Sequence, residues 1–267
     1  MAREPLSFPE ARPVTPSFRP LRLVVFGLVS GCLPLGAQSA GEVIARGVDL
    51  DRRHRHAEAA QVYLEASARA PDHPEILRCL AGQYLQLMGE TNDTAAKKQL
   101  GTKALAAAEA ARKIAPENAK VRLMMAIVYG RVALLEPPAR QVEMSRLIKE
   151  EVDASLALDP NDSQAWYLLG RWNYEMASLN PLLRGMARVV FGKLPDAGLG
   201  QAGECFQKAI SLGPPRRANH IELGRTYAAM GQKAEAGQQL NKGLAMTPIG
   251  KDDVEAGERG RKALERL

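Results

Sequence analysis

Little in this sequence points to chemistry. It holds no glycine-rich phosphate loop, no G-x-S-x-G elbow and no H-E-x-x-H on a helix, so no enzyme and no cofactor are expected. Aromatic residues make up only 5% of the 267 positions, while Ala and Leu dominate an apolar fraction of 46%. Small, unbranched helix formers build helical cores, whereas strands draw on β-branched and aromatic side chains. One-signed charge is missing too: 36 basic residues stand against 30 acidic ones, the two signs interleaved along most of the chain. A nucleic-acid surface gathers Lys and Arg on one face, so no DNA or RNA partner is expected. Metal ligands are equally thin. Asp51, His54 and His56 form the one cluster worth weighing, but histidines two apart point to different faces of a helix, and Arg52, Arg53 and Arg55 repel a cation.

The longest apolar run, Leu23 to Ala37, is 15 residues, short of the ~20 needed to span a bilayer. With Arg19 and Arg22 before it and Gly36, Ala37, Gln38, Ser39 and Ala40 after it, residues 1–40 read as a signal peptide or N-terminal anchor, cut after Ala37 or near Ala40. Two other readings stay open. Val29, Ser30, Gly31 and Cys32 resemble a bacterial lipobox, which makes Cys32 a candidate for lipidation, although Leu33, Pro34 and Leu35 continue the apolar run beyond it. The segment also suits a short uncleaved anchor. Export to a periplasmic or membrane-anchored location is the preferred expectation, with a cytoplasmic chain as the alternative.

From residue 41 the sequence repeats. The tetratricopeptide unit of about 34 residues puts Leu-Gly and Tyr on a first helix, then Ala, an aromatic and Ala on a second, and closes on Pro. Leu223, Gly224, Tyr227, Gly231, Ala236, Leu240 and Pro248 fit it without insertion; Trp166, Leu169, Gly170, Ala202, Phe206, Ala209 and Pro214 fit it with one. Ala126 and Tyr129 pair with Ile148, Val152 and Ser155. Leu80, Ala81 and Tyr84 pair with Ala104, Ala108 and Ala111, and Gly47 with Ala59, Tyr63 and Ala66. The closing prolines 71, 116, 160, 214 and 248 lie 45, 44, 54 and 34 residues apart, so three units are expected to carry inserted inter-helix loops. The expected fold is all-α: a tetratricopeptide-like right-handed α-solenoid of about five helix pairs. Units fall at about 41–73, 74–117, 118–161, 162–215 and 216–249, followed by a polar capping helix over 251–267. Cys79 and Cys205 fall in non-adjacent units, so no disulfide is expected.

Where such repeats hold peptides, the concave face of the first helices, the sequence places Arg78, Leu123, Ile127, Tyr167, Arg171, Tyr174, Ile221 and Arg225. Arg171 and Arg225 share one repeat position and, with the tyrosines, form a candidate clamp for an acidic peptide end or a lipid phosphate. The bland alternative is ordinary solvated arginine on a groove wall. The insertion in the fourth unit, 178–195, brings Leu182, Leu183, Met186, Val190 and Phe191 together with Arg184 and Arg188. This basic amphipathic stretch suits a lid over a lipid pocket or a membrane-facing helix. Its alternative is extra core against neighbouring helices.

The run AWYLLGRWNYEMASLNPLLRGMARVVFGKLPDAGLGQAGECFQKAI, ending at Ile210, resembles the regulator of microtubule dynamics family, as do KALAAAEAARKIAPENAKVRLMMAIVYG and LIKEEVDASLALDPNDSQAW in order and spacing. The resemblance covers roughly residues 55–260. It implies a cytosol-facing adaptor of the animal kind, whose members associate with microtubules and spindle poles, one of them tethering membranes and carrying phospholipid. The expected function is a non-enzymatic scaffold holding a protein or peptide partner. A phospholipid is the alternative ligand, and microtubules are a partner only for a cytosolic chain.

Overall fold

The structure, a computed structural model, describes residues 39–192 and 197–267, with the backbone alone at Phe191. The expectations for Cys32 and for the segment before Ser39 lie outside these residues. Twelve helices and no strands are present among the described residues. They are α1 (Ala40–Arg52), α2 (His56–Arg69), α3 (Pro74–Glu90), α4 (Thr94–Ile114), α5 (Ala119–Ala133) and α6 (Pro138–Leu158). After them come α7 (Ser163–Ala177), α8 (Pro181–Phe191), α9 (Leu199–Leu212), α10 (Arg217–Ala229), α11 (Lys233–Ala245) and α12 (Lys251–Leu264). None of them is long and apolar enough to cross a membrane.

Each boundary has a local cause. Ser39 and Glu42 form a reciprocal capping box on α1. Between pairs one junction recurs: α2 and α4 stop at Ala70 and Ala115, each followed by a proline that cannot continue the helix, and His73 or Asn118 then caps the next first helix. Asp162 caps α7 after Pro160 in the same way. The carbonyls of Pro116 and Pro160 are used as well, accepting from Arg122 Nε at 2.7 Å and Trp166 Nε1 at 2.8 Å. Gly231, in the left-handed region with φ 78°, turns α10 into α11.

The helices pack as α1 with α2, α3 with α4, α5 with α6, α7 with α9 and α10 with α11. The extra length of the second and third units is not loop. It lengthens the second helices, α4 and α6, to 21 residues each, because Lys97 to Lys113 and Gln141 to Ala157 hold no helix-breaking proline. The fourth unit alone gains an element, α8, which packs on α6 and buries Ala187 beside Val142, Trp172 and Met176.

Cores between helices are built from alanine. Ala59, Ala81, Ala104, Ala111, Ala165, Ala202, Ala209 and Ala236 are fully buried, which lets the axes approach closely around a few large anchors such as Tyr63, Phe206 and Leu240. Each anchor stabilises the fold by roughly 1.5–3 kcal/mol. Close approach is extreme at Gly170, where a Cβ would lie 2.8 Å from the Phe206 ring.

Instead of only capping the stack, α12 packs on α10 and α11 and sends the side chains of its first turns to the first helices of three further units. Lys251 Nζ donates to the Gly89 carbonyl at the end of α3, and Glu255 stands 3.9 Å from Arg131 of α5. Asp252 accepts from the Tyr167 hydroxyl of α7 at 3.2 Å, and Asp253 accepts from the Ala218 amide of α10 at 3.1 Å. What permits this is a stripe of small residues, Ala256, Gly257 and Gly260, seated on Ile221 and Arg217; a Cβ on Gly260 would meet Ile221 Cδ1 at 2.5 Å.

Candidate functional site

One carboxylate organises the C-terminal half. Glu222 of α10 is fully buried, and an isolated ion in that position would be strongly destabilising. Arginines from three helices meet it. Arg225, one turn along α10, pairs with Oε2. Arg259 of α12 donates Nε to Oε1 at 2.9 Å, and Arg171 of α7 stands 4.0 Å from the same oxygen and 3.7 Å from Glu175. Burial alone would depress the Arg171 guanidinium, but Glu222, aided by Tyr167 and Glu175, outweighs it and holds the group above its ordinary value. Burial, then the charge of Asp252, pushes the Tyr167 phenol upward.

The guanidinium of Arg225 also lies 4.7 Å from the centre of the Tyr174 ring. From this stacked pair a cleft of about 420 Å³ opens, walled by α7, α10, α11 and α12. Its cations are Arg225, Lys233, Arg259, Lys262 and Arg266, and its apolar floor is Tyr174, Ala228, Ala229, Ala263 and Leu267. Lys233 donates to the Leu267 carbonyl at 2.6 Å. Such a volume lies in the range of ligand pockets, ~300–1,000 Å³. The arrangement can attract and orient anionic groups; no nucleophile paired with a base lines it.

The structure brings five of the eight groove candidates together beneath α12 and leaves three in the N-terminal half. Tyr174 and Arg225 line the cleft. Arg171 belongs to the Glu222 cluster behind it. Tyr167 and Ile221 are buried and must be corrected from groove contacts to core, because α12 covers the positions that a bare solenoid would expose. Leu123 is likewise core, packed inside α5, and Ile127 is half-buried on the same helix. Arg78 is paired with Glu75 through a 2.8 Å Nε bond. His56 hydrogen-bonds Asp51 at 3.0 Å and lies 3.2 Å from Gln83, a polar knot joining α1, α2 and α3.

The insertion divides. Leu183, Met186 and Val190 pack with Trp172 and Met176 as core, while Leu182 is 74% exposed and Val189 84% exposed. Arg184 and Arg188 are exposed on the same outer side, and α8 supplies no residue to the cleft, so it is not the cleft's lid. Four cleft cations escaped the sequence reading, Lys233 of α11 and three near the end of the chain. Arg259, Lys262 and Arg266 recur at intervals of three and four, the spacing of one helix face, beside the small stripe that seats α12.

Comparison with known proteins now has a site to refer to. The family described as regulator of microtubule dynamics protein 1–3 matches residues 46–267. Regulator of microtubule dynamics protein 3 of Xenopus laevis is 28% identical over 200 residues, which cover 74% of this chain and 43% of that protein. The human protein 2 is 27% identical over 197 residues, 73% of this chain and 48% of its own length. The chain thus spans less than half the length of these two relatives. Among solved structures, a thermophilic tetratricopeptide-repeat protein of Thermus thermophilus aligns over 85% of this chain and 100% of its own, with a TM-score of 0.58 at 18% identity, a likeness of fold. By the extent of the family match, this helical-repeat chain belongs to the regulator of microtubule dynamics family.

Proposed function

We propose that the protein is a non-enzymatic scaffold that holds a protein or peptide partner on its concave face. The cleft beside α12 is the observation that supports this. It is lined by α7, α10, α11 and α12, and two of its arginines, Arg225 and Arg259, are already held by Glu222, so little of their side-chain freedom is lost when a partner arrives. The test is affinity capture from the native extract with the wild-type chain and with Ala229→Trp, which fills the exposed floor of the cleft without altering charge. A defined partner should be lost with the variant; an identical partner list ends the reading.

A second reading, a membrane-facing role, has its own support in α8, whose exposed Leu182 and Val189 are flanked by Arg184 and Arg188. Flotation with anionic vesicles should weaken in Leu182→Ser/Val189→Ser, and native mass spectrometry of the purified chain should then show co-purifying phospholipid. The relatives' name makes microtubules a candidate partner, tested by co-sedimentation with polymerised tubulin. Export through residues 1–40, with cleavage after Ala37 or near Ala40 or lipidation at Cys32, is the alternative to a microtubule role and is tested by sequencing the mature N-terminus.

A further inference from the structure

The charges lining the cleft do not balance. Glu222 is shared by Arg225, Arg259 and, at 4.0 Å, Arg171, of which Arg171 alone has a second carboxylate, Glu175, within reach. Among the described residues Lys262 and Arg266 make no ion pair, whereas Lys233 is held by the main-chain carboxylate of Leu267. Five cations therefore line a cavity at which Glu222 and the Leu267 carboxylate are the anions, and the positive charge is in excess.

Spacing narrows what fits. Arg259 and Lys262 lie one turn apart on one edge of α12, and Arg266 follows in the turn after Leu264, so the three cations are spread along the cleft rather than gathered at one point. Same-side residues of an extended peptide repeat at about 6.6–6.8 Å. An extended segment with carboxylates on alternate positions presents its charges in a row on one side and can answer such a spread of cations, its backbone lying over the alanine and tyrosine floor. A phosphate headgroup concentrates its charge at one point and would leave most of the row unanswered.

Building on the reading that a partner is held on the concave face, we propose that the cleft binds an extended acidic segment with Asp or Glu at alternate positions, its carboxylates taken by Arg225, Arg259, Lys262 and Arg266. Arg225 and Arg259 are oriented in advance by Glu222, and Lys262 and Arg266 supply the unpaired charge.

The experiment is fluorescence anisotropy of the whole chain with a labelled peptide of alternating Glu and Ser, beside the same peptide with Gln in place of Glu. The Glu peptide should bind about tenfold or more tightly than the Gln peptide, a difference that shrinks as salt rises. Lys262→Glu/Arg266→Glu should cost about tenfold or more, Lys262→Gln/Arg266→Gln an intermediate amount, and Lys98→Glu/Lys113→Glu on exposed α4 positions almost nothing at equal net charge. Equal binding of the two peptides, lost in Ala229→Trp, overturns the acidic specificity and leaves the concave-face reading standing. Binding of both peptides that is indifferent to Ala229→Trp overturns both. Phosphatidate-containing vesicles that bind through Lys262 and Arg266 while the Glu peptide does not also overturn the proposal.

Discussion

Two buried carboxylates serve the two halves of this solenoid differently. Glu151 of α6 accepts from Arg112 of α4 at 2.6 Å and from Arg122 of α5 at 3.0 Å, tying together consecutive helices where the second and third units meet. Glu222 receives arginines from α7 and α10, the first helices of adjacent units, and from α12, which comes back onto α10 from the end of the chain. The first is a joint between neighbours, and Arg112 keeps 40% of its side chain in water. The second lies under a helix that crosses the concave side, and the charge it leaves over faces a cleft. The same pairing chemistry fastens one half and equips the other.

The largest expected effect sharpens that contrast. Removing one partner of a buried ion pair costs ~3–5 kcal/mol, and Glu222→Ala should fall in this range in urea unfolding because three arginines lose their counter-charge. Glu151→Ala should cost less by about 1 kcal/mol or more, since Arg112 is already solvated. Equal losses would erase the distinction between the halves.

Next comes the seat of α12. Gly260→Val forces a side chain into the space of Ile221 and should cost about 1–3 kcal/mol, with weakened protection of α10 amides in hydrogen exchange. Protection in α3 and α4 that falls as far as in α10 would contradict a C-terminal effect.

A pH effect should follow in the same half. Burial holds His220 below its ordinary pKa, even though its Nδ1 lies 2.8 Å from Gln239 Oε1. The unfolded chain takes up a proton at about pH 6.5 while the folded chain resists, so stability present above that pH is lost as pH falls toward the depressed folded value. Melting curves should show this loss, and His220→Gln should flatten it; an unchanged slope would remove His220 as the cause. The smallest effect belongs to α8. Leu182→Ser and Val189→Ser should each change stability by no more than about 0.5 kcal/mol, because both side chains are already in water.

Periodicity explains what could be read in advance. The prolines at 71, 116 and 160 each end a helix because the ring blocks continuation, so they marked pair boundaries without any tertiary knowledge. Gly170 and Phe206 announced a tight crossing in the same local way. Tyr167 and Ile221 were read as groove residues, yet both are core because a segment 30 or more residues downstream lies on them. Such a return cannot be read from a nearest-neighbour repeat pattern. Its signals, small residues at 256, 257 and 260 beside cations at 259, 262 and 266, resemble an ordinary polar cap until the surface receiving them is known. Glu222 was obscured for a related reason: a glutamate three residues before an arginine is the commonplace of exposed helices, and only burial gives it weight.

The hydrogen bond from Lys251 to Gly89 joins residues 162 apart, and that from Tyr167 to Asp252 joins residues 85 apart. An open stack of units yields to a pulling force one unit at a time, because each unit grips only its neighbours. With α12 clasped to α3, α5, α7 and α10, a pull on Leu267 loads those four helices together. The strap makes a springlike fold stiff at one end, so α1 and α2 should peel away first while the remainder resists and then ruptures as one block.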